Sequence, residues 1–199
     1  ASEWASEGDT LLVTSPLGHR LSMSWDSIRS IDFSAGKITY LSDLEPLKAA
    51  WDALIELPAA ASAIQEHGRP KVDRSHLGGP LELAFPGDSS GSTIAQVRSF
   101  AKGVALRSRT ELVYRVPQEA RRFRAWAGID PAFAKQGHVR LILQVDETVT
   151  VDETIDGSHA PVKIDVPVDG VRRLRIQVDY GDYLDSGDLL NLCDAKFIK

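Results

Sequence analysis

From Leu112 to Val178, apolar side chains recur at every second position, and that period constrains this chain more than any other feature. Leu112, Tyr114 and Val116 share one side. Phe123, Ala125 and Ala127 do the same, with Arg122, Arg124 and Trp126 opposite. Val139, Leu141, Leu143 and Val145 alternate against Arg140; Leu174, Ile176 and Val178 alternate against Arg173, Arg175 and Gln177. Successive side chains of an extended strand point to opposite faces, so each run reads as a strand with one buried face. Gly128, Gly137, Asp156-Gly157 and Asp169-Gly170 separate the runs as turns. Several such strands at short intervals form a mainly β protein, a β-sandwich or jelly roll rather than a parallel α/β sheet.

The first part of the chain reads differently. Residues 8–39 alternate around turns at Ser15-Pro16-Leu17-Gly18 and Ser34-Ala35-Gly36, which predicts a β-meander. Residues 1–39 are expected to pack as that meander on a main domain of residues 40–199. Within the main domain, Leu47, Ala50, Trp51, Leu54 and Ile55 stand at helical spacing, with Pro46 at the start and Pro58 as a stop or kink. A short helical insertion over about 47–67 follows, laid on the sandwich through Leu47, Trp51, Leu54 and Ile55. Residues 86–93 read as a surface loop by composition.

Several function classes are excluded or disfavoured. With 23 Lys and Arg against 28 Asp and Glu, bulk charge does not favour nucleic acid. No run approaches the length of a membrane-spanning helix, and the N-terminus shows no signal-peptide pattern. The single cysteine, Cys193, permits no intramolecular disulfide. It lies in an apolar strand and reads as a buried, inert thiol. Charge is unevenly placed. Residues 98–124 hold eight basic and two acidic side chains, and residues 146–194 hold four basic and twelve acidic; the two segments are expected to neutralise each other. No nucleophile elbow, phosphate loop, zinc-protease helix or dinucleotide fingerprint occurs, and the five histidines have no metal-ligand spacing. The chain is expected not to be an enzyme.

Five segments, in order, carry a family resemblance. They are residues Tyr40-Leu41-Ser42-Asp43-Leu44-Glu45-Pro46, the stretch from Asp73 to Leu81 with Gly78-Gly79, Lys102-Gly103 to Leu112, Phe123-Arg124-Ala125-Trp126-Ala127-Gly128-Ile129-Asp130, and Asn191 to Phe197. Together they resemble the NPCBM family of carbohydrate-binding modules found beside glycoside hydrolases, over residues 40–199. The resemblance implies a galactose-binding-like β-sandwich and a non-catalytic, extracytoplasmic or secreted module that recognises a glycan through its loops. The alternative is a structural or protein-interaction sandwich that has lost sugar binding, with another protein domain as its partner. No cofactor is required on this reading, and a structural calcium ion is one option.

The chain departs from the family pattern at two places: Arg107 stands where a His is frequent, and Leu192 where a Trp is frequent. Arg107 and Asp130 are therefore expected to contact a polar ligand, with the permanent cation of Arg107 favouring an anionic glycan. Trp126 is either a stacking platform for a sugar ring or a side chain buried under a loop. Asp43 and Asp194 either serve local structure, as a turn cap and a paired strand acid, or help hold calcium. Asp130 equally fits a turn-initiating role.

Overall fold

The computed structural model describes residues 3–15, 17–29, 36–52, 66, 68–87, 96–181 and 187–199. The chain divides after Ala35 into two compact units. In the first, β1 (Glu3–Glu7), β2 (Thr10–Thr14) and β3 (Arg20–Ser24) form an antiparallel meander. A 3-10 turn over Trp25–Ser27 follows, and the hydroxyl of Ser24 accepts from the Asp26 N–H. The meander begins at Glu3, ahead of Gly8, and part of the expected second turn, residues 34 and 35, lies outside the described residues.

The second unit begins with β4 (Ile38–Tyr40), β5 (Lys48–Trp51), β6 (Lys71–Val72), β7 (Leu81–Phe85), β8 (Gln96–Phe100) and β9 (Gly103–Arg107). It continues with β10 (Thr110–Arg115), β11 (Arg122–Ile129), β12 (His138–Val145), β13 (Thr148–Asp156), β14 (Val162–Pro167), β15 (Arg173–Tyr180) and β16 (Leu189–Ile198). Two antiparallel sheets result. One runs β13-β12-β15-β10-β5 and the other β14-β11-β16-β9-β6, with β4 paired to the far half of β16. β7 and β8 make a separate hairpin. No helix among the described residues is long and apolar enough to cross a membrane.

The alternating faces read from sequence are the faces that meet. Leu112, Tyr114, Leu141, Leu143, Leu174, Ile176 and Val178 of one sheet bury against Phe123, Ala125, Ala127, Leu190, Leu192 and Phe197 of the other. The outer sides carry the charges. Arg122 and Arg124 both reach Asp165 on β14, and Glu111 accepts from Lys48 and Arg175 across β5, β10 and β15. Of these contacts, the one at Asp165 joins the basic segment to the acidic one.

β16 changes its inward parity midway. Leu190 and Leu192 face the main core, then Ala195 and Phe197 do. The switch is a bulge: the register against β11 shifts between Arg124 and Trp126, and Asp194 takes a φ of 51°. A bulge inserts one extra residue, and Asp tolerates this left-handed backbone better than most side chains. Asp194 is thus turned out of the core, where it accepts from Lys196 Nζ at 2.7 Å.

The helix expected to start at Leu47 does not form over residues 47–52, although Glu66, at the far end of the expected insertion, is helical. Lys48–Trp51 is the edge strand β5, with Leu47 N–H donating to the Val113 carbonyl and Asp52 N–H to that of Arg109. The three-to-four-residue apolar spacing is real, but a sheet edge beside β10 offers this backbone long-range partners, and tertiary context overrides a weak local preference. Trp51 is half-buried and donates its indole N–H to the Ser108 carbonyl at 3.1 Å, while Leu47 is 53% exposed. Leu54, Ile55 and the rest of residues 53–65 lie outside the described residues.

Candidate functional site

The sandwich end at which β9 and β11 finish and β16 begins gathers most of the polar residues of interest. β9 ends in Arg107, which is half-buried and lies directly across from Leu189 on β16. On the other side of β16, Asp130 follows the last residue of β11 and donates its N–H to the Leu189 carbonyl. Arg107 and Asp130 therefore flank the same strand start. Two sequence-distant residues are placed at one end because β16 lies centrally between β9 and β11.

Asp130 is buried, and both of its oxygens are engaged. Oδ1 accepts from the Ala132 N–H at 3.0 Å and caps the 3-10 turn Pro131–Phe133; Oδ2 accepts from Asn191 Nδ2 at 3.2 Å. This geometry makes Asp130 the organiser of the 131–137 loop, the turn-initiating role. Asp188, also buried, accepts the His138 N–H on Oδ1 at 3.0 Å and ties the start of β12 to the loop before β16. Asp156 closes the group. Its Oδ1 accepts from the N–H and hydroxyl of Ser158, and Oδ2 meets His159 Nδ1 at 2.6 Å.

Between these loops lies a cleft of about 550 Å³ lined by residues 134–138 and 156–158. Its walls touch because Gly157 has no side chain: a Cβ there would stand 2.3 Å from the Ala134 backbone. Lys135, Gln136, His138 and Ser158 offer donors around an ionised acceptor, Asp156. The hydrogen bonds from Ser158, followed by the neighbouring His159, hold the Asp156 carboxyl at about 2, against an ordinary value of 3.8. A folded pKa below the unfolded one stabilises the fold above the unfolded value, and that stabilisation is lost as pH falls through the folded one. The loop is therefore expected to loosen between about pH 4 and 2. Carbon-detected NMR titration should place the Asp156 midpoint near 2 and show Ser158→Ala returning it toward 3.8; an unchanged midpoint in the variant would contradict this assignment.

Trp126 is not brought to this end. It precedes Asp130 by four residues, roughly 13 Å along a strand, and it points to the outer face of its sheet. There it packs edge-on against Phe85, ring centroids 5.2 Å apart, in a second small core with Leu81, Leu83, Ala105 and Cys193 under the β7–β8 hairpin. Trp126 is partly buried there, packed against the cluster under the hairpin. Cys193 is fully buried in the same cluster, and burial pushes its thiol far up, as an inert thiol requires.

Asp43 and Asp194 are both engaged with lysine ammonium groups. Lys102 Nζ sits 2.5 Å from Asp43 Oδ1 and 2.9 Å from Asp73 Oδ2, while Asp194 is held by Lys196. Burial alone would raise the Asp73 carboxyl, but the hydrogen bonds from Lys102 and the Gly103 N–H bring it below the usual range. Calcium takes six to eight oxygen ligands. Among the described residues no three His, Cys, Asp or Glu side chains are grouped to hold a metal, and the space between Asp43 and Asp73 is filled by an ammonium.

Sequence reasoning missed Asp188, His138 and Asp156. In the sequence His138 has no metal-ligand spacing and Asp156 stands in a turn, so neither pattern singles out a site. The available signal was the glycine beside each, Gly187, Gly137 and Gly157, which marks close backbone approach.

Residues 39–198 match the sequence profile of the NPCBM/NEW2 domain family. No curated protein sequence matches the chain. Among solved structures, the CBM51 module of a Clostridium perfringens GH95 protein in complex with methyl-galactose superposes with a TM-score of 0.66 at 21% identity, covering 80% of this chain and 99% of that one. The CBM51-2 and INT domains of Clostridium perfringens ZmpB, in complex with GlcNAc, give a TM-score of 0.66 at 22% identity, covering 96% of this chain and 36% of theirs. The tandem CBM51 modules of a family 98 glycoside hydrolase from Streptococcus pneumoniae SP3-BS71 give 0.63 at 18%, covering 81% and 47%. This chain thus spans nearly all of the first and less than half of the other two.

Proposed function

This chain belongs to the NPCBM/NEW2 domain family, and from that premise we propose that it is a non-catalytic carbohydrate-binding module whose ligand seat is the Arg107 end of the sandwich. One observation carries the reading. Arg107 and Asp130 flank the start of β16 at one end of the sandwich, and the loop that Asp130 opens leads into a cleft of about 550 Å³ lined by residues 134–138 and 156–158, on a fold whose structural relatives include complexes with methyl-galactose and GlcNAc. Small-molecule sites commonly measure about 300–1,000 Å³. Arg107 supplies a planar fork of donors suited to paired hydroxyls or to a sugar carboxylate, and Lys135 adds a second cation at the rim. Asp130 and Asp188 act as positioning residues, because their oxygens serve the loop backbones. Asp156, held ionised by its neighbours, suits acceptance of a sugar hydroxyl. Two of the three relatives are longer, multi-module chains, and we place this chain likewise, as one module of an extracytoplasmic protein.

The test is calorimetric titration of the full chain with methyl-galactose, GlcNAc and an oligogalacturonate. Arg107→Ala is expected to weaken binding by about 10- to 100-fold, the range of a lost charge-assisted hydrogen bond, with the steepest loss for the uronate. Unchanged binding by a folded variant removes Arg107 from the site. One observation favours a second reading, a protein-interaction sandwich without sugar binding: none of the described cleft residues is Trp, Tyr or Phe, and Trp126 is committed to the second core. Failure of all three sugars to bind the intact fold would establish that alternative.

A further inference from the structure

At the other end of the sandwich, in the sheet β13-β12-β15-β10-β5, β10 and β15 bring Arg115 and Arg173 together as direct cross-strand partners, both exposed. Facing residues of an antiparallel pair stand about 4.5–5.5 Å apart at Cα, and like charges placed so repel each other. Arg172, in the preceding turn, adds a third guanidinium. Among the described residues none of the three guanidinium groups has a carboxylate within 4.0 Å, although those of Arg122, Arg124, Arg140 and Arg175 each reach one. The chain has 28 acidic side chains, so the lack is not a shortage of acids. The nearest candidate, Asp146, spends its carboxylate on the backbone N–H groups of Arg172 and Arg173 at 3.1 and 2.9 Å.

The three arginines line a groove of about 910 Å³, with Leu44, Leu47 and the single acid Glu45 on its other wall. Leu47 is 53% exposed there. None of the described lining residues is aromatic, so a pyranose ring finds no stacking surface. Guanidinium forks bind carboxylates two oxygens at a time, and aliphatic walls accept aliphatic side chains. We infer that this groove docks an acidic, aliphatic segment of a partner polypeptide, whose carboxylates offset the Arg115–Arg173 repulsion. The inference is independent of the sugar seat, which lies at the opposite end.

Fluorescence anisotropy on the full chain tests it, with a labelled dodecapeptide of repeating Asp-Leu-Glu, its neutral Asn-Leu-Gln counterpart, and an unlabelled oligogalacturonate as competitor. The acidic peptide is expected to bind at least about tenfold more tightly than the neutral one, more weakly as salt rises. Arg115→Gln with Arg173→Gln should reduce that binding at least about tenfold without lowering the thermal midpoint, because removing facing cations relieves repulsion. Arg140→Gln, an exposed arginine on the same sheet, should bind as wild type. Equal binding of the two peptides, undiminished binding by the double variant, or displacement of the peptide by the oligogalacturonate at lower concentration would each overturn the assignment.

Discussion

Phe197→Ala is expected to cost about 3–5 kcal/mol of stability, the range for truncating a buried aromatic. Phe197 is 1% exposed near the end of β16 and packs on Phe123, with ring centroids 5.2 Å apart. The rings join adjacent strands of one sheet and face Tyr114 and Leu174 of the other within the main core. The Asp194 bulge prevents compensation from the neighbouring position, because it alone sets Phe197 inward. For a domain of this length the loss corresponds to a fall in melting temperature on the order of 10 °C. Calorimetric melting checks it, with Val149→Ala, 54% exposed on β13, as the control expected to change by no more than about 0.5 kcal/mol. A Phe197→Ala midpoint as close to wild type as the control's would mean that the two sheets are not held together here.

Gly103→Ala should be as damaging through a different mechanism. Gly103 has a φ of 152°, and a Cβ on it would lie 2.4 Å from the Leu192 carbonyl oxygen and 3.0 Å from the Cys193 Cα. Both are backbone atoms of β16, so no rotamer change relieves the contact. The chain is also pinned at this point, with the Gly103 N–H donating to Asp73 Oδ1 at 3.0 Å and its carbonyl accepting from the Asp73 N–H. Overpacking of a filled site costs about 1–3 kcal/mol, and a strained backbone region about 1–3 kcal/mol more. The sum, about 2–6 kcal/mol, is comparable with the whole stability of many domains. Chemical denaturation of the purified variant, or its failure to accumulate in soluble form, reads the effect. An alanine variant with a wild-type midpoint would show that β9 and β16 tolerate separation.

Such effects explain which parts of the architecture were legible beforehand. Alternation at Leu112–Val116, Phe123–Ala127, Val139–Val145 and Leu174–Val178 required one buried face per strand, because the pleat sends neighbours to opposite sides whatever the strand pairs with. The fold class and most of the inward set followed from that local geometry. The segment at 47–51 was misread for the complementary reason: Leu47, Ala50 and Trp51 carry a helical period, yet the backbone there is claimed by β10, a partner about sixty residues away in sequence.

The site was legible only in part. Arg107 and Asp130 could be singled out by their place in family motifs, and their shared end follows from both flanking β16. No local pattern could show that Asp130 is already saturated by Ala132 and Asn191, that Asp188 is buried, or that Arg115 and Arg173 face each other. What the sequence determined by itself is what one residue's chemistry and its immediate neighbours decide: strand, face, turn and formal charge. Tertiary structure decided which charges meet. Trp126 packs partly buried against the Phe85 cluster under the β7–β8 hairpin, and Asp43 meets the Lys102 ammonium because that lysine arrives from another strand connection. Both outcomes depend on side chains brought together from distant parts of the chain, and electrostatic and packing energies act on distance in space, which a linear pattern does not encode.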